Sequence, residues 1–501
     1  MKYLKKFDQH TQYDSYIESE DYLKPNVSYC EEHNNIHHSE KDHTIEYLTF
    51  TALEDGTFTF TIGSNVGTSF LSYVEYSVDD RRTWVKTNNE NSTTITITTP
   101  TVKSGEKVFW RGNASKLFNN SGSTINYRSC FSSTCRCTVR GNIGMLLSIT
   151  DPNNYTDFSS TFMYTFADMS TLVDASDLYL PLPLIVTTVY GTAFIYGYLF
   201  QNCTALISGP KELNSLTSPA SCYSHMFSGC TSLRIPPKLP AMTLSSSCYE
   251  YMFENCTSLI TAPELPATTI VGYCYQYMFS GCSSLKNPPK LNAMTAPYGC
   301  YGYMFQNCTS LITAPELPAT TLEDFCYRYM FNGCTNMISG PSILPATYAG
   351  NSGTYYYMFN NCTSLINAPE LPAIIDSDNK LTYQDMFVNC TSLVKAPELP
   401  TINMDSSKYT YYEMFRGCTS LKYVKALFVN SPSDSSARFT RYWVQNVSST
   451  GIFVKNINAT WTTTGNHGVP TNWTILYFDP STNKYYLSDK TTECDDHGNP
   501  I

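Results

Sequence analysis

The chain is poor in charge. Lys and Arg number 32 and Asp and Glu 42 in 501 residues, a formal net charge of −10. Binding along a phosphate backbone needs clustered Lys and Arg, so this balance excludes a general nucleic-acid binder. No apolar run reaches the ~18–20 residues that cross a bilayer, and no membrane insertion is expected. Met1 to Tyr22 carries Lys2, Lys5 and Lys6 with no apolar stretch behind them, which reads as the absence of a secretory signal. There is no His-Glu-x-x-His, no phosphate loop and no Gly-x-Ser-x-Gly elbow, so the common metalloprotease, NTPase and hydrolase signatures are missing. The expectation is a non-enzymatic protein with no cofactor.

What the chain has in abundance is repetition. Met-Phe recurs at Met226, Met252, Met278, Met304 and Met330, each 26 residues after the last, then at Met358, Met386 and Met414, each 28 on. Leu199-Phe200 is a relaxed copy 27 residues earlier, and Tyr164 to Leu172 a worn one. A fixed period of this size means stacked supersecondary units. Numbering each copy from its Met, Cys or Thr stands at −4, Tyr at −3, Phe at +1, Asn or Gly at +3 and Cys at +4. The apolar positions from −4 to +1 share one face of a 3.6-residue helix. Asn and Gly tolerate a left-handed backbone, which stops a helix. The spacing therefore predicts a short helix in every coil, followed by a short extended segment. That segment carries a Pro at +11, for example Pro263, Pro289 and Pro315, which limits strand length.

The 19 cysteines suggest disulfides at first sight. The +4 series runs from Cys203 to Cys418 without interruption. Its −4 companion series becomes Thr354, Thr382 and Thr410 in the later coils. A Cys that does without its supposed partner reads as a small buried hydrophobe, so reduced core thiols are expected. Cys130, Cys135 and Cys137 lack a fourth ligand for zinc. The His-rich stretch with His33, His37, His38 and His43 matches no ligand spacing. No metal site is assigned.

Position +12 alternates in sign at Lys238, Glu264, Lys290 and Glu316, which predicts a ladder of exposed pairs worth ~0.2–1 kcal/mol each. Position −1 varies: His225, Tyr251, Tyr277, Tyr303, Tyr329, Tyr357, Asp385, Glu413. It is expected to face outward. Its tyrosines Tyr251, Tyr277, Tyr303, Tyr329 and Tyr357 are the candidate binding stripe, able to stack on sugar rings or a partner protein. The competing reading is half-buried Tyr packing coil on coil.

The remaining segments divide by pattern. Residues 1–45 form an N-terminal anchoring segment. Residues 46–112 alternate at period two and read as a small all-β immunoglobulin-like sandwich, with Asp55-Gly56 as a hairpin turn. Residues 113–160 are a linker and N-terminal cap, 161–428 the repeat solenoid, 429–479 a C-terminal cap and 480–501 a tail. The expected fold class is α+β, with a helix and a short strand in each coil.

The motif Met-Phe-x-Gly/Asn-Cys-Thr-Ser-Leu followed by Ala-Pro-Glu-Leu-Pro-Ala-Thr-Thr-Leu resembles the BspA-like leucine-rich repeats, a 26-residue repeat of bacterial surface proteins. The likeness covers about residues 161–428. Lys24 to Glu31 resembles the amino-terminal segment of structural proteins from phages of gut bacteria, crAss-like phages among them. The resemblance implies a phage virion fibre or decoration protein, non-enzymatic and assembled in the host cytoplasm. Its expected partners are other virion structural proteins through residues 1–45, a host surface glycan or protein, and copies of itself, with a trimer as one arrangement. A bacterial cell-surface adhesin with the same repeats is the alternative, and a glycan depolymerase the second.

Overall fold

Alternating apolar and Thr residues make the front of the chain into strands. They are β1 (Leu48–Ala52), β2 (Phe58–Ile62), β3 (Leu71–Ser77), β4 (Val85–Lys86), β5 (Ile95–Thr98), β6 (Lys107–Ala114), β7 (Cys130–Ser133) and β8 (Cys137–Asn142). In the computed structural model these form two sheets. One has the order β4-β3-β6-β1-β8 and continues into β9 (Leu172–Tyr179); the other has the order β5-β2-β7. Phe50 of β1 meets Phe58 of β2 and Phe131 of β7 at 5.2 and 5.0 Å. Trp110 stands edge-on to Phe131 at 5.1 Å. The Asp55-Gly56 turn does not close a hairpin, because β1 and β2 lie in different sheets. It carries the chain from one sheet to the other. Glycine is needed there, since a Cβ at Gly56 would sit 2.5 Å from Cys135 Cβ.

The described residues are 46–62, 71–86, 95–114, 130–147, 162–181, 194–213, 217–218, 220–344, 352–371, 381–399, 409–429 and 439–501. They belong to one compact unit, His43–Ile501. The expected anchoring segment 1–45, with its His-rich loop, lies outside them.

The β domain hands over to the repeats through β8. It pairs antiparallel with β1 on one side and parallel with β9 on the other. From β9 onward the coils are joined by parallel contacts: Asp174 to Ser208, Ser208 to Ile235, Thr261 to Asn287, Thr313 to Ser339 and Ser339 to Asn367. Pairing stays this brief because the Pro two residues after Thr261 or Thr313 cannot donate. A second line of contacts joins β10 (Thr217–Ser218) to β11 (Thr243–Leu244), and β12 (Thr295–Ala296) to β13 (Thr321–Leu322). The stack ends in β14 (Tyr423–Ala426), β15 (Ile452–Asn456) and β16 (Thr474–Asp479), all parallel. β17 (Lys484–Tyr486) and β18 (Glu493–Cys494) then turn back antiparallel and cover the last edge.

The helix expected in each coil is not there, and the α+β class is overturned with it. Among the described residues, helical geometry is limited to the 3-10 turns Ile143–Leu146 and Gly465–His467. In its place is a ribbon of four-residue turns. The backbone is left-handed at −5, −1 and +3, as at Ser247 (φ 55°), Tyr251 (55°) and Asn255 (57°). Alternate amides close turns within the coil: Met252 N–H donates to the Tyr249 carbonyl at 3.2 Å, and Glu254 N–H to that of Tyr251 at 3.1 Å. The amides between them reach the next coil: Tyr251 N–H donates to Gln276 O and Phe253 N–H to Met278 O, both at 2.9 Å. Every backbone donor in this run is thereby used, as burial demands.

Spacing explains why a helix loses. Phe rings of successive coils stack 5.3–5.7 Å apart from Phe166 to Phe415. Packed helices need ~8–10 Å between axes. A coil ladder this tight has no room for a helix on its far side, whereas a flat turn ribbon fits.

Inside, the core is a set of columns. Tyr at −3 stacks from Tyr196 to Tyr411 at 5.4–6.2 Å. Met at 0 and Phe at +1 are fully buried throughout. The Phe column is continuous with the β domain, because Phe131 stacks on Phe166 at 5.7 Å. Both cysteine series are free buried thiols. Each +4 Sγ–H donates to the Phe carbonyl of the preceding coil, as Cys282 does to Phe253 O at 3.0 Å and Cys308 to Phe279 O at 3.2 Å. Burial pushes these thiols up, Cys334 and Cys418 to about 12, so the reactive thiolate is suppressed. A thiol-reactive dye should leave the repeat cysteines unlabelled in the folded chain and label them after denaturation. Rapid labelling of the folded protein would contradict this packing.

Candidate binding surface

Each −1 residue is fixed by the left-handed backbone beneath it. Tyr251, Tyr277, Tyr303, Tyr329 and Tyr357 have φ between 54° and 58°, a region that costs a non-glycine residue about 1–2 kcal/mol. The five rings form one column. With Tyr164, Tyr198 and His225 they stack face to face at 4.3–4.7 Å. All five predicted site tyrosines are thus brought together, half-buried, each against the one before. A ring stacked on both faces presents an edge to solvent. The column can offer a row of hydroxyls, and it cannot receive a sugar between its rings without being opened.

Burial governs the chemistry of this column. His225 is held neutral, its imidazole pushed down to about 4 by burial, with Ser224 Oγ 2.8 Å from its Nδ1. Burial, followed by the Glu250 and Glu254 carboxylates, pushes the Tyr251 phenol up to about 12.

Beyond Tyr357 the column passes to acid. Asp385 takes the next −1 place and is 1% exposed. Gln384 Nε2 donates to its Oδ2 at 2.8 Å. Burial raises its carboxyl to about 6; Glu413 adds to the rise, while Gln384, Tyr357 and Arg416 oppose it. Glu413 follows, paired with Arg416 at 2.5 Å.

The sign of the resulting pH dependence is set by that rise. A carboxyl whose folded value lies above its unfolded value contributes stability at low pH and loses it as pH climbs. The Asp385 contribution should be complete below about pH 4 and gone above about 6. Asp385→Asn should remove the step and gain about 1–2 kcal/mol at neutral pH. Urea unfolding from pH 4 to 8 checks it: the same slope in wild type and variant would disprove the assignment.

A second surface was not picked out by sequence reasoning. Position +8 places a line of aliphatic side chains in water: Ile312 at 51%, Ile338 at 43%, Ile366 at 52% and Val394 at 49% exposed. These coils are joined through the same residues, Ile338 N–H to Ile312 O at 2.8 Å and Ile366 N–H to Ile338 O at 2.9 Å. The signal was available as an apolar residue directly after the buried Leu or Met at +7. Contiguous exposed apolar surface, once it is extensive, marks interaction sites.

The alternating charges Lys238, Glu264, Lys290 and Glu316 do not pair with one another, although +12 charges nearer the ends do pair, Lys211 with Asp177 at 2.6 Å and Glu398 with Lys425 at 3.0 Å. Among the described residues Lys238, Glu264 and Lys290 enter no ion pair. Glu316 accepts from Ser342 Oγ at 3.0 Å instead. These side chains are long and solvated, and weak exposed attraction does not hold them together.

The aliphatic line runs into a groove of about 660 Å³ at the C-terminal end of the face. Asn367, Glu370, Lys395, Glu398 and Tyr423 line it, and Tyr485 of β17 forms the far wall. Lys425 Nζ pairs with Glu398 at 3.0 Å and sits 3.6 Å from the Phe478 ring centroid. Lys395 Nζ lies 4.8 Å from the Tyr423 ring centroid.

A leucine-rich repeat protein from Bacteroides ovatus, known from a crystal structure at 1.19 Å resolution, is similar over 61% of this chain and 82% of its own. Identity is 16% and the TM-score 0.28, too low to carry an argument about role. No protein-family model and no curated protein matches the chain.

Among the described residues no group of three or more His, Cys, Asp and Glu is placed to hold a metal ion, and no helix is long and apolar enough to cross a membrane. Glu370 and Glu398 are legible from sequence as repeat-position carboxylates, whereas their grouping with Tyr423 and Tyr485 in one groove is not. Tyr485 is contributed by a hairpin outside the repeats, and no repeat arithmetic reaches it.

Proposed function

We propose that this chain is a non-enzymatic adhesion protein of a phage particle, a fibre or decoration protein that presents its repeat stack to the host surface. The observation that supports it most is the exposed aliphatic line from Ile312 to Val394 leading into a groove with polar and aromatic walls. Such a face suits binding. The columns of buried Tyr, Phe and Met behind it make the surface rigid, so little ordering is lost on contact. Residues 1–45 are assigned to attachment within the particle, and a homo-oligomer, trimeric in one arrangement, is expected.

Immunogold labelling of purified particles and of whole cells tests the placement. Label on particles supports the phage assignment. Label on cells with none on particles would favour a bacterial surface adhesin with the same repeats. The depolymerase reading draws on one feature, that Glu370 and Glu398 share the groove. Glycosidases work through a pair of carboxylates. Release of reducing ends from host polysaccharide by the full chain would establish it, and no release leaves binding as the role.

A further inference from the structure

We infer that the groove beside β17 holds a segment of a neutral polysaccharide; this rests on the adhesion reading and names its site and ligand class. The groove has a periodic floor. Its lining comes from three successive coils, at Asn367 and Glu370, at Lys395 and Glu398, and at Tyr423 and Lys425. Rungs of such a stack lie ~4.8 Å apart. A pyranose unit advances its chain by close to that length, so consecutive sugars would meet consecutive rungs.

The polar groups select hydroxyls over anions. Glu370 and Glu398 are exposed carboxylates, able only to accept. Carboxylates bond hydroxyl donors through strong, charge-assisted hydrogen bonds. Among the described residues Glu370 enters no ion pair, so its oxygens are open to a ligand. The cations do not balance them for an acidic ligand. Lys425 is engaged by Glu398 and the Phe478 ring, and Lys395 by the Tyr423 ring. An anionic chain would meet the open Glu370 carboxylate, with Lys425 already shared with Glu398.

The apolar parts suit the other side of a sugar. Tyr423 and Tyr485 are half-buried and form one end of the groove. Burial first, then the Tyr485 hydroxyl, pushes the Tyr423 phenol up, so the Tyr423 wall stays uncharged near neutrality. Exposed Ile366 continues the apolar surface toward Ile338 and Ile312. The groove joins polar and apolar lining in nearly equal parts, which suits a ligand that carries hydroxyls on one side and an apolar ring face on the other. Here one end of it opens onto a line of rungs, which fits a polymer.

The test uses the full chain and immobilised hexasaccharides of glucose, mannose and galactose, with a galacturonic acid hexasaccharide as the acidic probe. At least one neutral probe should bind and the acidic one should not. Glu370→Gln and Tyr485→Ala should each weaken binding by about tenfold or more, while Lys290→Ala leaves it unchanged. Glu370 is exposed, so its variant should keep the wild-type melting temperature and report on binding alone. Undiminished binding by both groove variants, tighter binding of the acidic probe, or no binding of any neutral probe would overturn the proposal. Adhesion of the labelled chain to a panel of gut bacteria separates this from the broader reading. If groove variants adhere as well as wild type, the groove is refuted and adhesion stands. If wild type adheres to no cell, the adhesion reading falls with it.

Discussion

Phe279→Ala should cost the stack about 3–5 kcal/mol, and Lys290→Ala less than about 0.5. Both residues belong to the same coil. Phe279 is fully buried between Phe253 at 5.6 Å and Phe305 at 5.7 Å, parallel to both. Removing its ring opens a cavity in a column that closely packed neighbours cannot refill. Lys290 lies in solvent and pairs with nothing described. The loss should also be local. Each coil touches only its neighbours, so stability is close to a sum of coil and interface contributions. Hydrogen exchange should therefore quicken first at the amides of Phe253 and Phe279, which donate to the following coils. A melt that shifts equally for the two variants would mean that the inner and outer faces have been misassigned.

Much of this was legible in the sequence, because a repeat prints its core once per coil. Burial of Tyr at −3, Met at 0, Phe at +1 and Cys at +4 follows from their constancy and apolar character. The left-handed backbone at +3 follows from Asn and Gly. The helix was the wrong inference from the right residues. Cys at −4, Met at 0 and Cys at +4 are spaced by four, and so are Tyr at −3 and Phe at +1. A helical face drifts and mixes steps of three and four. A constant step of four is the period of the turn ribbon.

Position −1 was harder to read. Tyr, His, Asp and Glu share it, which looks like tolerance at an outward site. The structure shows a left-handed residue whose side chain must stack or carry charge. Asp385 and Glu413 continue the column without rings because Gln384, Tyr357 and Arg416 supply polar neighbours there. The groove was out of reach for a different reason. It exists only where a non-repeating hairpin meets the last coils, and its walls come from residues more than 100 apart in the chain, such as Asn367 and Tyr485.

The alternation at +3 leads to the sharpest test of the coil geometry. Gly229, Gly281, Gly333 and Gly417 have φ of 75–77°, and each follows a coil with Asn at the same place. A Cβ at Gly281 would lie 2.1 Å from Asn255 Oδ1. The preceding Asn side chain thus occupies the space over each Gly. Gly281→Val combines that collision with a β-branched residue in the left-handed region, and should cost about 3 kcal/mol or more. Gly281→Asn should cost far less, because Asn is already tolerated above Asn. Asn389 follows Asn361, has a φ of 59°, and donates from Nδ2 to Asn361 Oδ1 at 2.9 Å. The variant need only turn Asn255 to accept the same bond. Chemical unfolding of the two variants decides between this account and simple loss of backbone freedom at a glycine. If backbone freedom alone matters, Val and Asn should both be poor, separated by little more than their propensities. If the Asn ladder matters, Asn should approach wild type while Val collapses the coils on either side.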